Sequence, residues 1–191
     1  MNYSSAMALA LPDHLLSVEE YLEFEQKASV RHEYIAGTLY ALAGVTKRHS
    51  LIVSNLVGHL WAAARGSSCR VYSESVKMRP ADNLFYYPDV MVTCHDEEGD
   101  PLFETAPCLL VEVLSDSTAH IDKREKLIAY QQIESLKTYL IVYQNEKRLE
   151  HHWLDAEGRW QHAHVTDGGR VPLECPDIVL NMNDIYEGIN I

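Results

Sequence analysis

The chain has 191 residues, 47% of them hydrophobic, enough to bury one substantial core. Its 28 acidic side chains against 16 basic ones give a formal net charge of −12, which opposes non-specific attraction to a nucleic-acid backbone, so any such contact must come from local basic clusters. No apolar run is long enough to span a membrane, and the mildly apolar start lacks the basic segment of a signal peptide. Cys69, Cys94, Cys108 and Cys175 have no paired spacing, which argues against a zinc site or a disulfide framework. They read as reduced, mostly core residues of a cytoplasmic protein.

In chain order, Ser17-Val18-Glu19-Glu20 is a capping box that opens an amphipathic helix through Tyr21, Leu22 and Phe24, ending near Lys27 to Ser29. His32 to Ile35 and Thr38 to Leu42 flank Ala36-Gly37 and predict a hairpin. A second helix from about Arg48 to Arg65 carries Ile52, Leu56 and Leu60 on one stripe with Gly66 as its stop. Short strands follow at Cys69–Ser73, Ser75–Met78 and Leu84–Val92, with Pro80 and Asp82-Asn83 as punctuation. A polar loop runs from Cys94 to Asp100, and the apolar strand Leu109–Leu114 leads through the cap-rich Ser115-Asp116-Ser117-Thr118 into a helix from about Asp122 to Gln132. Thr138–Tyr143 reads as a buried strand. A β-meander closes the chain, with strands Arg148–Leu154 and Trp160–Val165, turns at Glu157-Gly158 and Asp167-Gly168-Gly169, and a helical turn at Asp184–Glu187.

Two acids stand out against this pattern: Asp89, in Tyr86-Tyr87-Pro88-Asp89-Val90, and Glu112, inside Leu109-Leu110-Val111-Glu112-Val113-Leu114. A carboxylate within a buried strand costs several kcal/mol unless a cation or hydrogen-bond donors compensate it. On neighbouring strands, about 5 Å apart, the two carboxylates can converge on one divalent cation. Oxygen ligands favour Mg2+ or Mn2+ over zinc, and such an ion polarises a phosphoryl oxygen and acidifies water, as phosphodiester hydrolysis requires. Asp122, Lys126 and Tyr130 share a helix face by their i, i+4, i+8 spacing, so Lys126 is placed to orient water or to neutralise charge on the phosphate.

Each residue also has a plainer reading. Asp89 after Pro88 serves equally as a strand-start residue, Glu33 as a solvent-facing hairpin residue, and Lys126 as the partner of Asp122 in an exposed pair worth about 0.3 to 0.5 kcal/mol. Tyr130 reads as core packing. Lys47-Arg48-His49 and Lys123-Arg124 are the candidate nucleic-acid contacts, with Lys77 and Arg79 as additions. At the start of its helix, His49 can meet a phosphate or a carboxylate, or be a helix-start polar residue. His151-His152 and His162/His164 do not make a convincing transition-metal site, because consecutive strand residues face opposite ways. Without a glycine-rich phosphate loop or a serine nucleophile elbow, nucleotide-dependent and serine-hydrolase chemistry are set aside.

The ordered set His32-Glu33-Tyr34-Ile35-Ala36-Gly37, Pro88-Asp89-Val90, Val111-Glu112-Val113-Leu114-Ser115 with Ser117-Thr118, then Asp122, Lys126 and Tyr130, and finally Val171-Pro172-Leu173 with Asn183-Asp184-Ile185-Tyr186, resembles the Uma2 family. That former domain of unknown function is grouped with restriction endonucleases of the PD-(D/E)XK nuclease superfamily. The resemblance implies an α/β fold with a restriction-endonuclease-like αβββαβ core, its mixed central sheet flanked by helices. An N-terminal extension (residues 1–16) would precede one nuclease-like domain (17–191). It further implies Asp89, Glu112 and the Val113 carbonyl as metal ligands and Glu33 as a further acidic member of the site. Leu114 stands where the superfamily pattern has its lysine, and Lys126 matches the family's displaced lysine, with Lys123 as the alternative. The expected activity is Mg2+- or Mn2+-dependent DNA cleavage by a metal-activated water, in a homodimer. The alternative is a catalytically inactive module of the same fold that binds DNA or a protein partner.

Overall fold

Ser17 opens the first helix as its sequence dictates. Its hydroxyl accepts from the Glu20 backbone N–H at 3.2 Å, and the Glu20 carboxylate accepts from the Ser17 N–H at 2.8 Å, an arrangement worth about 1 kcal/mol. The computed structural model describes residues 12–95, 99–114 and 122–191, with residues 122 and 123 described by backbone alone. In chain order the elements are α1 (Val18–Lys27), β1 (His32–Ile35), β2 (Thr38–Ala41), α2 (Lys47–Ala64), β3 (Arg70–Ser73), β4 (Lys77–Ala81), β5 (Leu84–Tyr86), β6 (Val90–Thr93), β7 (Phe103–Glu104) and β8 (Leu109–Leu114). A π-helical turn, Asp122–Lys126, then runs into α3 (Leu127–Tyr130), followed by β9 (Thr138–Tyr143), β10 (Arg148–Leu154), β11 (Trp160–Thr166), β12 (Arg170–Glu174), β13 (Asp177–Asn181) and α4 (Met182–Ile185).

The central sheet has the order β11-β10-β9-β8-β6-β3, with β8 and β9 parallel and the other neighbours antiparallel. The run α2, β3, β6, β8, α3, β9 is the αβββαβ core that the sequence resemblance implies. Alternation along the strands explains how two helices cover it. Val90, Val92, Leu109, Val111 and Leu140 pack against Ile52, Val53, Leu56 and Leu60 of α2. Met91, Leu110, Tyr139 and Ile141 face the other way, toward Tyr130, Ile133 and Leu136. Every residue of β8 is buried, so Glu112 is largely withdrawn from bulk water and must be compensated by its neighbours.

A second sheet, β2-β1-β5-β4-β7, packs under α1, where Tyr21 stacks on Tyr34 at 4.8 Å between ring centroids beside Phe85. The β1–β2 turn takes positive φ at Ala36 (47°) and Gly37 (94°), as a tight hairpin requires. An alanine at Gly37 would drive its Cβ to 2.9 Å from the Leu15 Cβ.

Several boundaries differ from the sequence expectation. The run Leu84–Val92 is two strands in different sheets, because Pro88 has no N–H for a ladder and restricts Tyr87 before it; Tyr87-Pro88-Asp89 is the crossing between the sheets. Pro80 lies within β4, at a register shift between Met78 and Ala81 that tolerates it. The third helix stops at Tyr130, β12 and β13 form their own two-stranded sheet, and the last helical turn starts at Met182. The 115–118 connection and residues 96–98 of the polar loop lie outside the described residues. The cysteines are not scattered in space: the structure joins Cys69 to Cys94 and Cys108 to Cys175 as disulfides, because antiparallel pairing and the β12–β13 turn bring distant segments together. Among the described residues no helix is long and apolar enough to cross a membrane.

Candidate active site

Strand pairing sets a row of acids at one end of the central sheet. Ser73 pairs with Val90 and Val90 with Val111, so one step further along the register Glu74 just after β3, Asp89 just before β6 and Glu112 on β8 stand side by side. The Glu74 N–H donates to the Asp89 carbonyl at 3.2 Å, which continues the ladder through this row. Asp89 directly precedes β6, after Pro88, and its Oδ2 accepts from the Val113 backbone N–H at 2.6 Å. The Asp89 side chain thus ties the start of β6 to the end of β8.

Glu112 is 6% exposed. Its Oε1 lies 3.2 Å from Lys126 Nζ and accepts from the Tyr130 hydroxyl at 2.9 Å. Lys126 also meets Glu33 Oε1 at 2.8 Å, and Glu33 accepts from the Tyr87 N–H at 3.4 Å. One buried ammonium therefore bridges two buried carboxylates from different sheets. Lys126 and Tyr130 reach the same oxygen because the π-turn and α3 present both on the face toward β8. Lys126 and Glu33 are both buried, so the exposed reading of Lys126 and the solvent-facing reading of Glu33 give way to this geometry; the Asp122 side chain lies outside the described residues. Burial, first, and the nearby Glu112 charge hold the Tyr130 phenol well above its ordinary pKa, so it stays a donor. Its ring also packs edge-on against Tyr86 and Tyr139, so it is a core residue and a partner of Glu112 at once.

His49 lies on the other side of the row. Thr46 caps α2, its hydroxyl accepting from the His49 N–H at 3.1 Å, and this fixes the imidazole 3.3 Å from Asp89 Oδ2. His49 is 3% exposed, so of the two partners its sequence position offered, the structure supplies the carboxylate. Burial alone would lower its pKa, but the hydrogen bond and charge of Asp89, the charge of Glu74 and the Val113 carbonyl outweigh burial and raise it. Ligand atoms of His49, Glu74 and Asp89 lie within 4.8 Å of one another. Sequence reasoning missed Glu74. It sits between two serines at a turn, and its place in the row emerges only from strand register.

The remaining candidates are peripheral. Lys47 and Arg48 are exposed on the first turn of α2, Arg48 donating to Asn145 Oδ1 at 2.9 Å. Arg124 is exposed on the π-turn, and the side chain of Lys123 lies outside the described residues. Lys77 is buried beside Tyr87, where burial lowers its pKa, so it cannot join a surface patch. A buried satellite, Glu25 with His32 at 3.0 Å and the Tyr87 hydroxyl at 2.9 Å, braces the strand crossing next to Asp89.

The donor chemistry fits a hard divalent ion. Four carboxylates, Glu33, Glu74, Asp89 and Glu112, and the Val113 carbonyl offer oxygen ligands of the kind Mg2+ and Mn2+ take. Against those carboxylates stand Lys126 and the titratable His49, which leaves negative charge on a set of largely buried groups. Asp89 and Glu33 come from the crossing and from β1, Glu112 and Val113 from β8, and Lys126 from the helix after it, so the site exists only when both sheets are assembled.

Comparison with known proteins agrees with this fold. A crystal structure described as a putative nuclease belonging to DUF820, from Anabaena variabilis, superposes with a TM-score of 0.74 at 16% identity, covering 90% of this chain and 97% of that one. Two proteins of Synechocystis sp. are similar in sequence: the uncharacterized protein slr1290, 31% identical over 91% of this chain and 93% of its own length, and the uncharacterized protein sll1609, 28% identical over 81% and 89%. The family model described as "Uma2: Putative restriction endonuclease" matches residues 18–183, and the chain belongs to that family.

Proposed function

We propose that this protein is a metal-dependent DNA endonuclease that hydrolyses phosphodiester bonds. The observation that carries the reading is the row of acids at the ends of β3, β6 and β8, set against an ammonium that a separate helix delivers to Glu112 and Glu33. Asp89, Glu112 and the Val113 carbonyl would hold Mg2+ or Mn2+, with Glu33 as a further acidic member. When bound, such an ion polarises a phosphoryl oxygen and makes a nearby water more acidic. Lys126 neutralises charge that develops on the phosphate, and its two carboxylate contacts fix its position beforehand. Tyr130 and His49 act as positioning residues, holding Glu112 and Asp89 by one hydrogen-bond contact each.

DNA approaches an acidic protein here, so Lys47, Arg48, Lys123 and Arg124 are the residues proposed to meet phosphates. A homodimer supplies the two sites needed to cut two strands. The Anabaena protein of the same fold carries a nuclease description, and the family description points the same way.

The test is cleavage of plasmid DNA with Mg2+ or Mn2+ by the parent protein and by Asp89→Asn and Glu112→Gln. Both substitutions should abolish cleavage while circular dichroism stays native, and full cleavage by both would refute the assignment. Calorimetric titration with Mn2+ separates an enzyme from an inactive binding module, which would take up no ion.

A further inference from the structure

We infer that Cys69, Cys94, Cys108 and Cys175, in their reduced state, form a tetrathiolate site for one zinc ion at the end of the central sheet opposite the acidic row. The register that aligns Glu74, Asp89 and Glu112 aligns the cysteines as well. Arg70 pairs with Thr93, so Cys69 and Cys94 face each other one step beyond. Leu109 pairs with Val92, and the Cys108 N–H donates to the Val92 carbonyl at 2.8 Å. Cys175 arrives from the turn between β12 and β13. Four segments, spread over more than a hundred residues of sequence, thus deliver one thiol each to one place.

Two disulfides would need two pairs, but the pairs need not meet. Here they do. The Cys94 sulfur lies 3.1 Å from that of Cys175 and 3.6 Å from that of Cys108, both across the Cys69–Cys94 and Cys108–Cys175 pairing. The sulfurs of Cys69, Cys94 and Cys175 all lie within 4.8 Å of one another. A tetrahedral zinc site, with Zn–S bonds of about 2.3 Å, sets its sulfurs roughly 3.8 Å apart, so the separations across the two pairs already approach that spacing, and opening the two bonded pairs on reduction completes a ligand shell. Cys108 and Cys175 are buried, and Cys69 and Cys94 pack against the same core as α2. Soft thiolates select zinc over the hard ions suited to the acidic row.

The chemistry balances without an oxidant. Reduction of both disulfides by a dithiol or phosphine adds four electrons and four protons and gives four thiols. Zinc binding then releases up to four protons, and no electron moves. Such a site would pin the β12–β13 hairpin to β3, β6 and β8 from the side remote from the acids.

The experiment uses the full chain, reduced with a phosphine under nitrogen, freed of reductant and titrated with Co2+. The expected result is one equivalent of cobalt, with the intense visible and near-ultraviolet bands of tetrahedral thiolate coordination, displaced stoichiometrically by zinc. Asp89→Asn should leave those bands intact, whereas Cys175→Ser should weaken or abolish them. Reduced protein that shows four free thiols and no cobalt bands overturns the inference, as do bands that survive in Cys175→Ser and vanish in Asp89→Asn. The parent protein alone decides the first point, so a serine variant that fails to fold does not rescue the idea.

Discussion

The same three strands, β3, β6 and β8, end in oxygen at one side and in sulfur at the other. Asp89 and Cys94 flank the four residues of β6, five steps or roughly 16 Å of extended chain apart. The acidic end is held by charge: a buried lysine, a buried histidine and a backbone N–H restrain carboxylates that would otherwise repel one another. At the sulfur end Cys108 and Cys175 belong to the apolar core that α2 covers, and the half-buried Cys69 and Cys94 pack against it. A sheet edge held by ion pairs responds to cations, protons and salt, whereas one held by sulfur responds to redox state and soft metals. Perturbations at the two ends should therefore give separable signatures.

The largest effect is expected at Lys126. Lys126→Met strands Glu33 and Glu112 without their shared ammonium, and removal of one partner from a buried ion pair costs about 3 to 5 kcal/mol. Urea denaturation should report that loss, and Mn2+ should restore part of it, because a divalent cation can take over the role of the ammonium. A variant as stable as the parent would mean that the two carboxylates are neutralised by something other than Lys126.

Next in size is the effect on catalysis. Glu112→Gln and Asp89→Asn keep the shape of the side chain and remove its charge, and cleavage should fall by at least about 10²- to 10³-fold, the scale of losing one preorganised electrostatic contact. At the sulfur end, Cys175→Ser should leave Mn2+ binding unchanged. A parallel loss of Mn2+ affinity would join the two ends into one unit and erase the contrast. Tyr130→Phe removes one hydrogen bond to Glu112 without emptying the core, so it should cost about 1 to 3 kcal/mol of stability. Lys126 keeps its own contact with Glu112 in that variant, so activity should fall less than in Glu112→Gln.

The acidic end was largely legible in the sequence and the sulfur end was not, for a physical reason. Glu112 announces itself, since a charge in the middle of an apolar run violates the burial rule locally, and Lys126 and Tyr130 follow from helical spacing. Glu74 and the cysteines carry no local violation. A glutamate between two serines is ordinary at a turn, and a cysteine in an apolar context is an ordinary core residue. Their grouping is a property of antiparallel register, in which residues meet when their numbers have a constant sum, and a one-dimensional reading cannot see that sum until the pairing is known. The same limit hid the split at Tyr87-Pro88-Asp89. Both halves have strand character, and only the assignment to two sheets shows that Pro88 marks a crossing.

The smallest effect separates the pH response of the scaffold from that of either end. His151 on β10 lies opposite Leu140, which in turn pairs with Val111 midway along β8. It is 7% exposed, its Nε2 has no hydrogen-bond partner among the described residues, and its ring lies 4.7 Å from that of Trp153. Burial, with a smaller contribution from the neighbouring His152, lowers its pKa to about 4. The unfolded chain binds a proton at this histidine near pH 6.5, whereas the folded one does so only near 4. Stability from this residue is therefore complete above pH 6.5 and is lost as the pH falls through the interval between those values, with no further loss below about 4. Denaturation curves for the parent and His151→Gln should converge in slope above pH 7 and diverge between pH 6.5 and 4, with the variant flatter. Parallel curves across that interval would mean that His151 takes up its proton in the folded protein as readily as in the unfolded chain, and that its burial contributes nothing to the acid response.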